Sequence, residues 1–191
     1  MIVYLHGFNS SPQSRKAQVL GAHLGSLGLG KQFRCPALPH RPVEAVPVIR
    51  SACADVDPRR LTLVGSSLGG FYATWCAETL GARAVLINPA VAPHETLEVM
   101  LGPQKNLYTG EAYELTREDL DVLRALRTEH INPERYLLLL ETGDEVLDWR
   151  EAARKYEGAR MCVRDGGDHT LQSFGEHLPR ILAFCGLTPA R

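Results

Sequence analysis

Ser67 stands at the centre of Gly65-Ser66-Ser67-Leu68-Gly69. The apolar run Leu61-Thr62-Leu63-Val64 precedes it, and a helix-compatible stretch, Phe71 to Leu80, follows. Strand, Gly-x-Ser-x-Gly, helix is the pattern of a nucleophile elbow. The turn is so tight that the serine must adopt strained backbone angles, and only glycine avoids a clash two residues to either side. The strain lifts the hydroxyl over the strand's carboxyl end. The following helix then aims its positive N-terminus at an oxyanion formed there. The bland alternative is a tight turn that needs glycine and carries a bystander serine.

A serine hydroxyl is a weak nucleophile at neutral pH, so it needs a base, and the base needs an orienting carboxylate. Both types occur after later strand-like runs. Thr142-Gly143-Asp144-Glu145-Val146 follows the run Tyr136 to Leu140, and Gly166-Gly167-Asp168-His169 follows Arg160 to Arg164. The order serine, acid, histidine is that of an α/β-hydrolase. Asp144 is the preferred acid because it occupies the first loop positions after a buried strand. Glu145, its neighbour, is expected to point the other way. Asp148 competes for the same role, and it could equally cap a helix beginning at Trp149. His169 is the preferred base. His23 and His177 fall in helix patterns, and His40, His94 and His130 fall in loops with no adjacent strand end. His6 lies at a strand end but precedes both other members. Asp168 is adjacent to His169, and adjacent side chains rarely face each other.

The remaining requirement is a pair of donors for the oxyanion. One is the backbone N–H of Leu68, next after the serine; the other should come from the loop after the first strand, Leu5-His6-Gly7-Phe8-Asn9-Ser10-Ser11. Gly7 permits a turn that aims the Phe8 N–H inward, and His6 is expected to fix the loop by hydrogen bonding. Ser11 or Ser14 can also cap the helix that follows.

These groups must be brought together by the elements around them. Strand runs are expected at Ile2–Leu5, Phe33–Leu38 (broken by Pro36), Leu61–Val64, Ala84–Asn88, Tyr136–Leu140 and Arg160–Arg164. Helices are expected at Ser14–Leu27, Val43–Ala54, Ser67–Leu80, Asp148–Tyr156 and Ser173–Cys185. Continuous apolar strands alternating with helices belong to a parallel sheet covered on both faces. Right-handed crossovers then give an α/β three-layer sandwich, with a doubly wound, mainly parallel six-stranded sheet of order 2-1-3-4-5-6. Ligands bind such sheets beyond the strands' carboxyl ends, at the switch point beside the first strand. Residues 1–191 read as a single domain. The irregular interval from about 90 to 134 carries helix-like pieces around a polar stretch, Gly102 to Tyr113, and reads either as a long crossover or as a cap over the pocket.

Composition bounds the partners. The 191 residues are 45% hydrophobic and 23% charged, with a net charge of −1, so nothing favours nucleic acid or an anionic membrane. No apolar run reaches the ~20 residues that a membrane span needs. A strand beginning at Ile2 leaves no room for a signal peptide, so a cytoplasmic location is expected. The five cysteines lack CxxC spacing; reduced, buried thiols are expected rather than disulfides or a zinc site. No metal and no cofactor is expected.

Four segments carry a resemblance: residues 4–12 (Tyr-Leu-His-Gly-Phe-Asn-Ser-Ser-Pro), 64–75 (Val-Gly-Ser-Ser-Leu-Gly-Gly-Phe-Tyr-Ala-Thr-Trp), 87–90 (Ile-Asn-Pro-Ala) and 142–148 (Thr-Gly-Asp-Glu-Val-Leu-Asp). Together they resemble the bacterial YqiA-like esterases, small α/β-hydrolases, across nearly the whole chain. The resemblance implies action on carboxylic esters or acyl thioesters, with Ser67 as nucleophile, Asp144 as acid and His169 as base. It also implies that the Asn88-Pro89 loop helps form the pocket. Gly7, Asn9 and Asn88 are therefore expected to contact the substrate. The chain departs from the family's expected Gly-Gly-Asn-His-Ala by reading Gly166-Gly167-Asp168-His169-Thr170, which adds a carboxylate beside the base. A peptidase or amidase would use the same residues, and a non-catalytic binding protein could keep the fold.

Overall fold

A computed structural model describes residues 1–187; the last four residues of the expected single domain lie outside the described residues. The elements run β1 (Ile2–Leu5), α1 (Arg15–Ser26), β2 (Phe33–Arg34), α2 (Pro42–Cys53), β3 (Thr62–Ser66), α3 (Leu68–Leu80) and β4 (Arg83–Ile87). They continue α4 (Pro93–Thr96), β5 (Gly102–Lys105), β6 (Ala112–Leu115), α5 (Arg117–Ala125), β7 (Tyr136–Glu141), α6 (Trp149–Lys155), β8 (Arg160–Arg164) and α7 (Leu178–Cys185).

Six strands form one parallel sheet in the order β2-β1-β3-β4-β7-β8. This is the expected order once β5 and β6 are set apart as a separate antiparallel hairpin. Every residue of β1, β3 and β7 is buried, as strands covered on both faces must be. Two apolar clusters do the covering. Val3, Leu5, Leu63 and Leu86 point to the side of α2 and α3, whereas Ile2, Tyr4, Val64 and Val85 point to the side of α1 and α7. The alternation along each strand follows from the two-residue repeat of β structure.

Three expectations need correction. The second strand is only two residues long, ending before Cys35 and Pro36, because proline supplies no N–H to the ladder. The last helix is preceded by a separate 3-10 segment, Gln172–His177, and Pro179 sits in the first turn of α7. The polar stretch from Gly102 to Tyr113, where no strand is expected, forms most of the β5–β6 hairpin, which ends at Leu115. Pro47 is accommodated inside α2, as expected. All five cysteines are free thiols, with Cys53, Cys76 and Cys185 buried. Among the described residues no helix is long and apolar enough to cross a membrane.

Candidate active site

The elbow forms as the glycine spacing requires. Ser67 has φ 54° and ψ −122°, a left-handed region that a side chain enters at a cost. A Cβ on Gly65 would lie 2.2 Å from the Gly69 carbonyl oxygen, and one on Gly69 would lie 2.0 Å from that of Leu5. The two flanking positions therefore exclude any side chain. The strained turn is fastened from both sides. The Ser67 N–H donates to the Ile87 carbonyl at 3.0 Å, and the Ser67 carbonyl accepts from Ala90 at 3.1 Å.

Over the carboxyl end of the sheet, three distant side chains meet. His169 Nε2 lies 3.0 Å from Ser67 Oγ, and His169 Nδ1 lies 2.8 Å from Asp144 Oδ2. With Nδ1–H donated to the carboxylate, Nε2 is left as the acceptor for the serine hydroxyl. The Asp144 side chain is almost fully buried, and its Oδ1 also accepts from the Val146 and Leu147 N–H groups at 2.9 and 2.8 Å. The carboxylate is thus held by the backbone of its own loop before it meets the histidine.

Asp148 does not reach this group. It caps α6, accepting from the Arg150 N–H at 3.0 Å, and pairs with the Arg150 guanidinium. The capping N–H and the guanidinium hold its carboxyl below the usual range. Asp168 is likewise turned away, bonded to the Thr170 and Gln172 side chains, which depress it in the same way. The extra carboxylate beside His169 therefore faces its own loop. Glu145 does not point away: its Oε2 accepts the His169 backbone N–H at 3.0 Å.

The loop after β1 is held by His6. Its Nδ1 donates to the Gly7 carbonyl at 3.1 Å and its Nε2 accepts the Leu38 N–H at 3.0 Å. Burial pushes this imidazole below its ordinary range, which keeps it neutral and suits one donor and one acceptor nitrogen. Among the described residues the Phe8 and Leu68 N–H groups donate to no backbone carbonyl, Leu68 because it opens α3.

The structure places the other expected contacts unequally. Gly7 and Phe8 line a cavity of about 530 Å³ that also reaches Ser67 and His169. Asn9, at φ 52°, turns its side chain to the hairpin instead: it accepts from the Tyr113 hydroxyl at 2.6 Å and donates to Gln104. Asn88 is buried and bonds to backbone. Its Nδ2 donates to the Asp168 and His169 carbonyls, and its Oδ1 accepts the Glu141 N–H. Its side chain is spent on holding the histidine loop and is not presented to the cavity.

Sequence reasoning missed Glu141. This carboxylate is 1% exposed at the end of β7. It accepts from the Asp168 N–H at 2.9 Å and from the Ser173 hydroxyl and N–H at 2.6 and 3.2 Å. A Cβ on Gly167 would lie 2.0 Å from Glu141 Oε2, so the loop can pass only as glycine. Burial pushes the Glu141 carboxyl up, but the donors from Ser173, Asp168 and Gln172 outweigh that and hold it below its ordinary value. The signal available in the sequence was a charged residue closing an otherwise apolar buried run. Among the described residues no cluster could hold a metal ion.

Fold and site together define the class: this is an α/β-hydrolase fold with a serine, a histidine and an aspartate aligned above its sheet. The chain belongs to the family described as "Uncharacterised protein family (UPF0227)", whose pattern matches residues 1–186. A curated relative, the UPF0227 protein YcfP of Salmonella gallinarum, is 27% identical over 187 residues, covering 96% of this chain and 98% of the relative. Solved structures share the fold at lower identity. A protein from Agrobacterium vitis S4 superimposes with TM-score 0.78 at 20% identity, covering 96% of this chain and 87% of that one. Est1E from Butyrivibrio proteoclasticus, solved with ferulic acid bound, gives TM-score 0.65 at 12% identity, covering 98% and 89%.

Proposed function

We propose that this protein is a serine hydrolase that cleaves carboxylic esters or acyl thioesters of small molecules through an acyl-enzyme. The observation that carries the reading is the 3.0 Å approach of His169 Nε2 to Ser67 Oγ, with Asp144 at 2.8 Å on the opposite ring nitrogen. In this reading Ser67 attacks the carbonyl carbon while His169 takes its proton. Asp144 orients the imidazole and stabilises its cation. The Phe8 and Leu68 N–H groups receive the oxyanion, and each such donor contributes about 3 kcal/mol to transition-state stabilisation. His169 returns the proton to the departing alcohol or thiol. Water then attacks the acyl-enzyme by the same route and restores Ser67.

The whole chain acts as one domain in this reading, and the excursion at 90–134 caps the site, with Tyr108 on the cavity wall. The 12% and 20% identities to solved neighbours carry the fold alone, so the assignment rests on geometry. The test is labelling by a fluorophosphonate together with turnover of acyl esters and matched acyl thioesters. Wild type is expected to label and turn over, and Ser67→Ala to do neither. Undiminished turnover by Ser67→Ala would refute the reading.

A further inference from the structure

The cavity that holds Ser67 and His169 has a basic end. Arg15 and Lys16, in the first turn of α1, both line it. Neither has a carboxylate within ion-pair distance among the described residues. The one carboxylate on the cavity wall, Glu176, is already paired with Arg164 at 2.7 Å. Lys16 Nζ donates to the Thr170 carbonyl at 2.7 Å, a neutral partner. Arg15 is exposed and Lys16 half-buried, and two cations at one wall of the cavity make that wall attractive to an anion from outside.

A second observation points the same way. Ser14 stands at the N-cap of α1, where a serine ordinarily accepts from the first-turn N–H groups. Here it makes no such bond. It is 8% exposed, its hydroxyl makes no hydrogen bond among the described residues, and it lines the same cavity. The helix carries no acidic residue in its first turn. Its first N–H groups therefore remain free at the positive end of a 12-residue helix dipole. Burial lowers the Lys16 ammonium, and the neighbouring Arg15 charge adds to that, against the attraction of the Asp168, Glu141 and Asp144 carboxylates, none of which lies within ion-pair distance.

We infer that the substrate is an ester bearing an anionic group, a carboxylate or a phosphate, which docks against Ser14, Arg15 and Lys16 while its carbonyl lies at Ser67. This inference rests on Ser67 being the nucleophile only for the second half of that statement. The anion site itself follows from the wall. A carboxylate would come from the acyl side, as in a monoester of a dicarboxylic acid. A phosphate would come from the alcohol or thiol side.

Calorimetry on Ser67→Ala separates the two halves, because binding is read without turnover. The probes are monoesters of dicarboxylic acids of graded chain length and esters of a phosphate-bearing alcohol. Each is titrated beside its uncharged isostere. The anionic member of at least one pair is expected to bind about fivefold tighter or better, the scale of one partly exposed ion pair. That ratio is expected to fall about fivefold in Ser67→Ala/Arg15→Gln and again at high salt. Lys16→Gln, read by the same ratio, is the second variant. A ratio of one in every pair, or a ratio that ignores both substitutions and salt, would overturn the inference. Turnover by wild type is measured separately. Charge-selective binding without turnover of any ester would leave the anion site standing and end the hydrolase reading.

Discussion

The Asn88 side-chain amide donates to the His169 carbonyl at 3.2 Å. The same nitrogen reaches the Asp168 carbonyl at 3.0 Å, and the oxygen of the amide accepts from Glu141. One side chain therefore ties the end of β4 to the end of β7 and to the loop that carries His169. Asn88 sits at φ 38°, where asparagine is better tolerated than most residues. Asn88→Leu removes three bonds and leaves buried backbone groups unpartnered. The expected loss of stability is about 2–4 kcal/mol, at ~1–3 kcal/mol per orphaned buried group with partial relaxation. Urea unfolding reads it. Ester turnover should fall mainly in kcat, because the substitution frees His169 and leaves the cavity wall in place.

Asp144 and Asp148 are four residues apart and do different work. Asp144→Asn keeps an oxygen for the Val146 and Leu147 N–H groups but presents the wrong partner to His169 Nδ1. The expected fall in kcat is about 10⁴-fold with the fold intact, as for the equivalent change in a serine protease. Asp148→Ala removes the cap of α6 and the exposed pairing with Arg150. It should lower the melting temperature only slightly and leave kcat within about twofold. Parallel kinetics and thermal melts on the two variants check this. Comparable losses of turnover in both would contradict the assignment of the acid.

Glu141 links the site to pH. Its carboxyl is held below its ordinary value in the folded chain, so the unfolded chain binds the proton more readily. Its contribution to stability is therefore fully present above the ordinary glutamate range. It is lost as pH falls through that range and below it. Glu141→Gln should destabilise at neutral pH and flatten the acid limb of the stability curve. Denaturant midpoints at about pH 7 and about pH 4 give the comparison: the gap between variant and wild type should narrow on acidification.

Much of this arrangement is legible in the residues, for physical reasons. The parallel sheet announces itself through runs such as Leu61–Val64 and Tyr136–Leu140, which no half-exposed strand would carry. The elbow is legible because a strained serine leaves glycine as the only neighbour that fits. Strand ends place Asp144 and His169 because this sheet has one functional edge. The supporting shell is less legible. The family resemblance makes Asn88 a pocket residue, but the direction of its side chain depends on a loop eighty residues away. Glu141 and Ser173 become partners only when β7 and the 3-10 segment meet. The hairpin is hidden because Gly102, Pro103, Gln104 and Lys105 have poor strand propensity. They pair with Ala112–Leu115, and acceptors of Asn9 and Ser10, outside the segment, hold the turn between the two strands.

Those acceptors set a final expectation for the hairpin. Asn106 folds its own turn, its Oδ1 accepting from the Tyr108 and Thr109 N–H groups at 2.9 and 3.0 Å. Its Nδ2 reaches across to the Ser10 carbonyl at 2.9 Å. The Leu107 N–H adds a bond to the Asn9 carbonyl at 3.1 Å. The hairpin tip is thereby fastened to the loop that contains Phe8, and Tyr108 is held at the cavity. Asn106→Ala deletes the side-chain bonds and keeps the one from Leu107. The hairpin contributes little to the core, so global stability should fall by no more than about 1 kcal/mol. Local opening should become easier, so that proteolysis at the already exposed Leu107 and Tyr108 runs several times faster than in wild type. KM should rise a few-fold while kcat at saturation changes little, since Ser67, His169 and Asp144 rest on the sheet and not on the hairpin. An unchanged KM alongside faster cleavage of the tip would show that the hairpin lies outside the substrate's path.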